Sequence, residues 1–344
     1  MKKSKLKSKN NNLDYISELR QDPVSGDWVV IATVRNKRPD QLIVKKEKRL
    51  IPPKTDCPFE NPQASDHPSP KIIEFLPKQK DWFLQILENK FPAFKPEEVS
   101  VQERPLGPYH IINGRGYHEI LIIKNHYKPL SDYSVKELAV MLKTLQKRYR
   151  EISRDKKIKY IAIFHNWGPT AGASIYHPHW QIIAIPVIPP RLEHSLTDSL
   201  RYFNRHRKCV YCEMIKFERR EHKRIIFENG GAVAFSPFVS REPFEIRIFP
   251  KKHISYFEQT SSTLTKSIAA ALKESLTLLK NKLDDPDLNF FIHTAPVSDK
   301  NKHRHYHWHI EIIPKISVSA GFELSTGIEI TIIDPDEGAK FLKS

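Results

Sequence analysis

The sequence predicts an α+β protein made of a duplicated unit, each copy an antiparallel sheet with a helix packed on it. Three observations carry this. A cysteine-bearing segment, a strand ending in histidine, an amphipathic helix, a further strand and a His-x-His segment follow one another twice in the same order. The intervals repeat as well: His165 precedes His177 by twelve residues and His293 precedes His305 by twelve, while Gln181 and His309 each stand five residues before a proline. Third, each copy carries one helix with a regular apolar stripe. Self-similarity of order and spacing is the mark of a repeated structural unit. The copies are expected over residues 15–190 and 191–344, after a basic tail, residues 1–14, that lacks an apolar core and is expected to be disordered.

In chain order, Asp22-Pro-Val-Ser-Gly-Asp-Trp28 reads as a turn leading into the β-branched strand Val29–Thr33, followed by Arg35 and Arg38. A Pro-rich stretch, roughly 50–80, is read as irregular and holds Cys57-Pro-Phe-Glu60; Asn89–Phe94 reads as loop. Glu119–His126 reads as a strand ending in histidine. Ser134-x-x-Glu137 is a capping box opening a helix with Leu138, Leu142, Leu145 and Tyr149 on one stripe. Tyr160–Phe164 is a strand that delivers His165-Asn-Trp-Gly-Pro-Thr-Ala-Gly-Ala-Ser174 and then His177-Pro-His179-Trp-Gln181. After Pro189-Pro190 a polar, basic connector is expected. The second copy then runs through Cys209-Val-Tyr-Cys212, the strand Glu245–His253, a helix striped by Leu264, Ile268, Leu272, Leu276, Leu279 and Leu283, the strand Asn289–His293, and His305-Tyr-His307-Trp-His309.

Composition narrows the class. No apolar run approaches a membrane span and no signal peptide is visible. Three cysteines are too few for a disulfide scaffold, which favours a reduced, cytoplasmic setting with thiols free for metal. The net charge of +16 suits anionic substrates; five of the positive charges lie in the tail and no helix concentrates the rest, which argues against a nucleic-acid binder.

Two constellations suit a metal. Cys209 and Cys212, two apart, with His253 and one histidine of the 305–309 cluster have the donor types and spacing of a structural zinc site. The repeat spacing nominates His305 as fourth ligand, the Tyr-His-Trp-His phrasing nominates His307, and counting does not separate them. Cys57, Glu60, His126 and His177 form the parallel set, with Glu60 standing where the second copy has Cys212, so a weaker metal or none is expected there. A third constellation suits catalysis. Alternation along a strand places His177, His179 and Gln181 on one face in steps of roughly 7 Å. Imidazole near neutral pH is an effective nucleophile. Arg35, Arg38, Ser174, Gln181 and loop N–H groups would neutralise phosphate oxygens, and Gly172 and Ala173 let the backbone approach closely.

At these residues the chain resembles galactose-1-phosphate uridylyltransferases and their relatives in the histidine-triad superfamily, from Arg20-Gln-Asp-Pro-Val-Ser-Gly-Asp-Trp28 to Gly321-Phe-Glu-Leu-Ser-Thr-Gly327 and Asp334-Pro-Asp-Glu-Gly. The resemblance implies paired histidine-triad-like half-barrel domains, usually a homodimer. It implies that His179 attacks the α-phosphorus of a UDP-sugar and carries a covalent nucleotidyl group in a ping-pong exchange with a hexose 1-phosphate. By the same resemblance Ser174, Gln181, Arg35 and Arg38 contact phosphate, Asn89 belongs to the nucleotide site, Asn166 is the substrate-binding asparagine that opens the family's loop, and Phe322 and Glu323 reach the sugar in the neighbouring subunit. It implies zinc on Cys57, His126 and His177, with Glu60 departing from the family's second cysteine, and on Cys209, Cys212, His253 and His307. One branch transfers an adenylyl group and shares the Gly-Ala-Ser-x-x-His loop; an ADP-sugar adenylyltransferase or phosphorylase is therefore the alternative, and a zinc-stabilised nucleotide-binding protein without catalysis is the alternative from another class.

Overall fold

The computed structural model describes residues 17–33, 49, 51–96 and 103–344, so the tail 1–14, Arg35 and Arg38 lie outside the described residues. The first strands are β1 (Glu18–Gln21), β2 (Trp28–Ile31), β3 (Ile72–Glu74), β4 (Leu84–Glu88), the hairpin β5 (Glu103–Leu106) and β6 (Tyr109–Ile112), and β7 (Tyr117–Ile123). Helix α1 (Val135–Ile152) follows, then β8 (Tyr160–Trp167) and β9 (His179–Ile185). Helices α2 (Pro190–His206) and α3 (Val210–Glu221) lead to β10 (Ile225–Glu228), β11 (Ala232–Phe235) and β12 (Ile246–Pro250). Helix α4 (Ser262–Lys282), β13 (Leu288–His293), β14 (His309–Pro314), α5 (Gly321–Thr326), β15 (Glu329–Thr331) and α6 (Pro335–Lys343) complete the described chain.

Ten of these strands form one antiparallel sheet in the order β10-β11-β12-β14-β13-β8-β9-β7-β4-β3. Read outward from the β13–β8 seam, the two sides match: β8 and β13 are followed by β9 and β14, then β7 and β12, then β4 and β11, then β3 and β10. At the seam Phe291 lies opposite Phe164, with Ile292 opposite Ile163 and Phe290 opposite His165, so a pseudo-twofold axis passes through the Phe164–Phe291 pair. The duplication thus closes on itself as a single sheet. A separate sheet joins β1, β2 and β15, and there β15 runs parallel to β2, an exception to the antiparallel expectation.

One face of the large sheet carries α1 and α4. Their buried stripes, Leu138, Leu142, Leu145 and Tyr149 on α1 and Ile268, Leu272, Leu276 and Leu279 on α4, merge with Ile161, Ile163, Trp180, Ile182, Ile310 and Ile312 into one core spanning both halves. The opposite face is covered unequally. Over the second half, Leu192 and Leu196 of α2 and Val210, Tyr211 and Ile215 of α3 pack on Val233, Phe235, Phe249 and Tyr306. Over the first half the described residues contribute a smaller cluster of Cys57, Phe59, Leu87, Ile120 and Ile122.

Two expectations are corrected. The stretch read as irregular contains β3, the edge of the large sheet. The connector after Pro189 is largely helical: Pro190 sits in the first turn, and Leu192, Leu196 and Ser199 form a buried stripe too narrow to stand out among the charges around it.

Candidate active site and metal centres

His179 opens β9 on the sparsely covered face, because its cross-strand partner on β7 is Ile122, and Ile120 faces Gln181 on the same side. Its Nδ1 lies 2.9 Å from the carbonyl of His177, an N–H donor contact that leaves the Nε2 lone pair for other chemistry. The His179 carbonyl accepts from His165 Nδ1 at 2.7 Å, and the Phe59 ring stands edge-on at 5.1 Å, so ring and backbone are both fixed. Burial pulls the His179 pKa down, which keeps the imidazole neutral.

The loop from β8 to β9 is held by the second half of the chain. Gly168 and Gly172 take φ of +86° and +81°, and a Cβ on Gly168 would lie 1.9 Å from the Asp287 carboxylate. That carboxylate accepts from the Thr170 backbone N–H at 2.8 Å and hydroxyl at 2.7 Å, and Arg49 binds its other oxygen at 2.9 Å. Asn289 donates to Asn166 Oδ1 and to the Ala171 carbonyl, both at 2.8 Å, so Asn166 is held with its NH₂ group free of that bond. Ser174 is exposed, and its hydroxyl has no partner among the described residues.

Cys57, His126 and His177 gather their ligand atoms within 4.8 Å of one another, as do Cys209, Cys212, His253 and His307. Cys57 Sγ is 3.5 Å from His177 Nδ1, and Cys212 Sγ is 3.3 Å from His253 Nδ1 and 3.6 Å from His307 Nδ1. Tetrahedral zinc with bonds of about 2.0–2.3 Å needs its ligand atoms roughly 3.5 Å apart. In three of the four histidines the other nitrogen donates to a carbonyl: His126 to Pro52, His177 to Ile123 and His253 to Arg304. That pattern turns each Nδ1 lone pair inward. Glu60 Oε1 lies 3.7 Å from His126 Nδ1, and both atoms are buried without a hydrogen-bond partner, which a cation between them would satisfy. Cys57, His126 and His177, like the four residues of the second set, therefore fit a metal, while Glu60 stands beside His126 but outside the close group and lies 3.8 Å from the Lys54 ammonium. The thiols differ: contact with Cys212, with help from His253 and His307, holds Cys209 far below its ordinary pKa, whereas burial pushes Cys57 up.

His305 stands outside the cluster, its Nε2 donating to the Leu196 carbonyl at 3.1 Å, whereas His307 lies within it. This also shifts the repeat by two residues from the spacing count. His309 Nδ1 donates to the His307 carbonyl at 3.1 Å just as His179 donates to that of His177, so His307 matches His177, His309 matches His179, and Glu311 matches Gln181. The equal twelve-residue intervals were coincidental, because the loop from β13 to β14 is longer than that from β8 to β9. Around His309 the structure is filled. Arg247 pairs with Asp22 at 3.0 Å and Glu245 at 2.9 Å, Arg241 pairs with Glu311, and His293 Nε2 lies 3.2 Å from Glu311. His293, His309 and Glu311 cluster closely, but two arginines already neutralise Glu311, and this set does not suit a cation.

Asn89 and Gln181 come together through His118, a residue the sequence reading passed over: its Nε2 is 3.1 Å from Asn89 Nδ2 and 3.1 Å from Gln181 Oε1. Its position one pleat from Ile120 on a strand flanking the His-Pro-His segment was the available signal. Asn289, Asp287 and Arg49 were also missed, because their role is to hold a loop far away in sequence. Phe322 and Glu323 lie on α5, with Phe322 47% exposed, and among the described residues no hydrogen bond, ion pair or ring contact joins them to His179.

Residues 7–189 match the galactose-1-phosphate uridyl transferase N-terminal domain, and residues 115–341 match a domain of unknown function, DUF4921. The chain is 32% identical to an ADP-glucose phosphorylase of Arabidopsis thaliana over 95% of its own length and 92% of that protein. It is 29% identical to a galactose-1-phosphate uridylyltransferase of Thermotoga maritima, covering 95% and 98% of the two. Among solved structures, the Arabidopsis thaliana ADP-glucose phosphorylase with bound ADP-glucose superposes with a TM-score of 0.80 at 31% identity, over 96% of this chain and 99% of that one. A uridylyltransferase structure gives 0.72 at 26% identity, over 95% and 98%.

Proposed function

The chain belongs to the galactose-1-phosphate uridyl transferase family of nucleotidyltransferases and phosphorylases, and from that premise we propose that it moves a nucleotidyl group from a nucleoside-diphosphate sugar through His179. The observation that carries this is the His179 ring, neutral, anchored through Nδ1 and set beside Gln181 on the sheet face opposite α1 and α4. Nε2 attacks the α-phosphorus, the bond to the bridging oxygen breaks, and hexose 1-phosphate leaves with that oxygen and its electron pair. An oxygen of the second phosphate then attacks the same phosphorus, breaks the P–N bond and restores the ring. Gln181, Asn89 and Asn166 supply amide donors to the phosphates and nucleotide, and the pinned loop keeps the donors in place.

The adenylyl reading, an ADP-sugar phosphorylase or adenylyltransferase, is supported by the higher identity and TM-score of the ADP-glucose phosphorylase. The uridylyl reading, transfer between UDP-glucose and galactose 1-phosphate, is supported by the family match over residues 7–189. Parallel turnover of ADP-glucose and UDP-glucose, each with phosphate and with galactose 1-phosphate as acceptor, separates them. Enzyme mixed with either donor labelled in the α-phosphate should retain label on His179; an unlabelled protein after turnover rules out the covalent route.

Zinc on Cys209, Cys212, His253 and His307, and a second ion on Cys57, Glu60, His126 and His177, would serve as structural crosslinks that fix the start of β9 and its counterpart. Elemental analysis is expected to give two equivalents per chain. Exposed Val318, Phe322 and Leu324 around α5 support a homodimer in which Phe322 and Glu323 approach the sugar site of a second copy. The three free thiols fit a cytoplasmic setting. No described helix is long and apolar enough to cross a membrane.

A further inference from the structure

We propose that His118 is a positioning residue for this transfer, fixing the amide of Gln181 so that its NH₂ group is presented to the phosphates. The inference rests on the nucleotidyl-transfer reading above and adds to it how the phosphate donors are oriented. His118 and Gln181 are diagonal neighbours across β7 and β9: His118 faces Ile183, and Gln181 faces Ile120 two residues away on the same side. The backbone N–H of Ala93 donates to His118 Nδ1 at 3.0 Å. A neutral imidazole that accepts at Nδ1 carries its proton on Nε2. That Nε2–H points at Gln181 Oε1, 3.1 Å away, so the Gln181 carbonyl is occupied and its two N–H donors turn the other way.

The alternative protonation is disfavoured from two sides. Burial pulls the His118 pKa down, and a proton on Nδ1 would meet the Ala93 N–H donor to donor. The second amide is oriented by its own neighbour. Asn89 Oδ1 accepts from the Phe91 N–H at 3.0 Å, which leaves Asn89 Nδ2 3.1 Å from a nitrogen that already bears hydrogen. Asn89 cannot donate to it, so its NH₂ group is left for an acceptor from the ligand. His118 thereby sets the Gln181 amide, and the Phe91 N–H sets that of Asn89. An amide turned the other way would put a carbonyl oxygen against a phosphate oxygen and repel the charge that grows there during transfer.

The test compares wild type, His118→Phe, His118→Gln, Gln181→Ala and the double variant His118→Phe/Gln181→Ala in steady-state transfer, with thermal melts to confirm folding. A glutamine side chain places an amide N–H near the position of imidazole Nε2 and can replace the donor, while phenylalanine fills the space without one. His118→Phe is expected to lower kcat by about 10–100-fold with KM for the sugar nucleotide changed far less. His118→Gln is expected to recover most of that loss, and His118→Phe to have no further effect once Gln181 is alanine. Unchanged kcat in His118→Phe, an equal loss in the Gln181→Ala background, or no rescue by glutamine would each overturn the proposal. A wild type inactive with both sugar nucleotides would instead count against the function proposed above. In that case the five proteins are compared by ADP and UDP binding: weakening in His118→Phe with rescue in His118→Gln upholds the orientation, and equal binding overturns it.

Discussion

The two halves of the sheet share a strand order, a helix and a histidine geometry, and they differ in what lies on the face opposite the helices. In the first half Ile120 faces Gln181, and among the described residues a small apolar cluster lies on that side. At the matching positions of the second half Arg247 faces Glu311, and Asp22, Glu245 and Arg241 close around them under α2 and α3. An amide beside an apolar residue leaves room and donors for an incoming phosphate. Two charges of opposite sign satisfy each other and leave neither. The second copy keeps the anchored imidazole of His309 but surrounds Glu311 with a buried ion network, and its strand β13 and the turn before it hold the first copy's loop through Asn289 and Asp287.

The strongest way to break this comparison is to remove the two matched imidazoles in turn. His179→Gly should abolish transfer, by at least about 10³-fold, or some 4 kcal/mol of barrier, and should also lower stability by about 1–3 kcal/mol because the ring is buried against Phe59. His309→Asn should leave transfer within about threefold and lower stability by about 1–3 kcal/mol, because His309 stacks at 4.8 Å on both Phe249 and His293. Equal loss of transfer in both variants would mean that the second site takes part in chemistry. The next test addresses the network. Arg247→Met leaves Asp22, Glu245 and Glu311 short of a buried partner and should cost about 3–5 kcal/mol in denaturant unfolding. The equivalent swap in the first half, Ile120→Met, should cost less than about 1.5 kcal/mol.

Much of this contrast was legible in the sequence, and what was missed has a physical reason. The His-Pro-His-x-Gln alternation, the cysteine pair and both helix stripes are local patterns, and period and residue type expose such patterns directly. The register of the repeat was misread because the count assumed loops of equal length; the shared Nδ1-to-carbonyl bonds of His179 and His309 align the copies instead. His305 was a plausible ligand by spacing and is turned toward Leu196 by a contact with α2, itself hidden among charged residues. His118, Asn289 and Asp287 act by holding other side chains across strands, and such a role has no signature along the chain.

The two proposed metal sites differ by one donor, and that difference can be erased. Glu60→Cys would give the first site the same two thiolates and two imidazoles as the second. Softer donors favour zinc, so the first site should then hold it about tenfold or more tightly, measured by competition with a chromogenic chelator. Cys212→Glu, the converse change, should weaken the second site in the same sense. If the two single variants leave the metal affinities of both sites unchanged, Glu60 and Cys212 are not the residues that distinguish them.

The smallest expected difference lies at the matched helix starts. Ser134 caps α1 in a reciprocal box: its hydroxyl accepts from the Glu137 N–H at 3.2 Å, and Glu137 accepts from the Ser134 N–H at 2.7 Å. Ser261 caps α4 with one longer bond, 3.4 Å to the Leu264 N–H, and no acidic residue stands in that first turn. Ser134→Ala should therefore cost about 1 kcal/mol and Ser261→Ala about half of that. The two should also differ in pH dependence. Partial burial opposes ionisation of Glu137, yet hydrogen bonds from Ser134 and the nearby Lys128 ammonium win and hold its carboxyl below the ordinary value. A carboxyl depressed by folding stabilises the protein above its unfolded pKa of about 4.3 and loses that contribution as pH falls through the folded value. The cost of Ser134→Ala should shrink as pH falls from 7 toward 3, while that of Ser261→Ala should stay flat. Parallel lines for both variants in urea unfolding across that range would show that the box adds nothing to the hydroxyl cap.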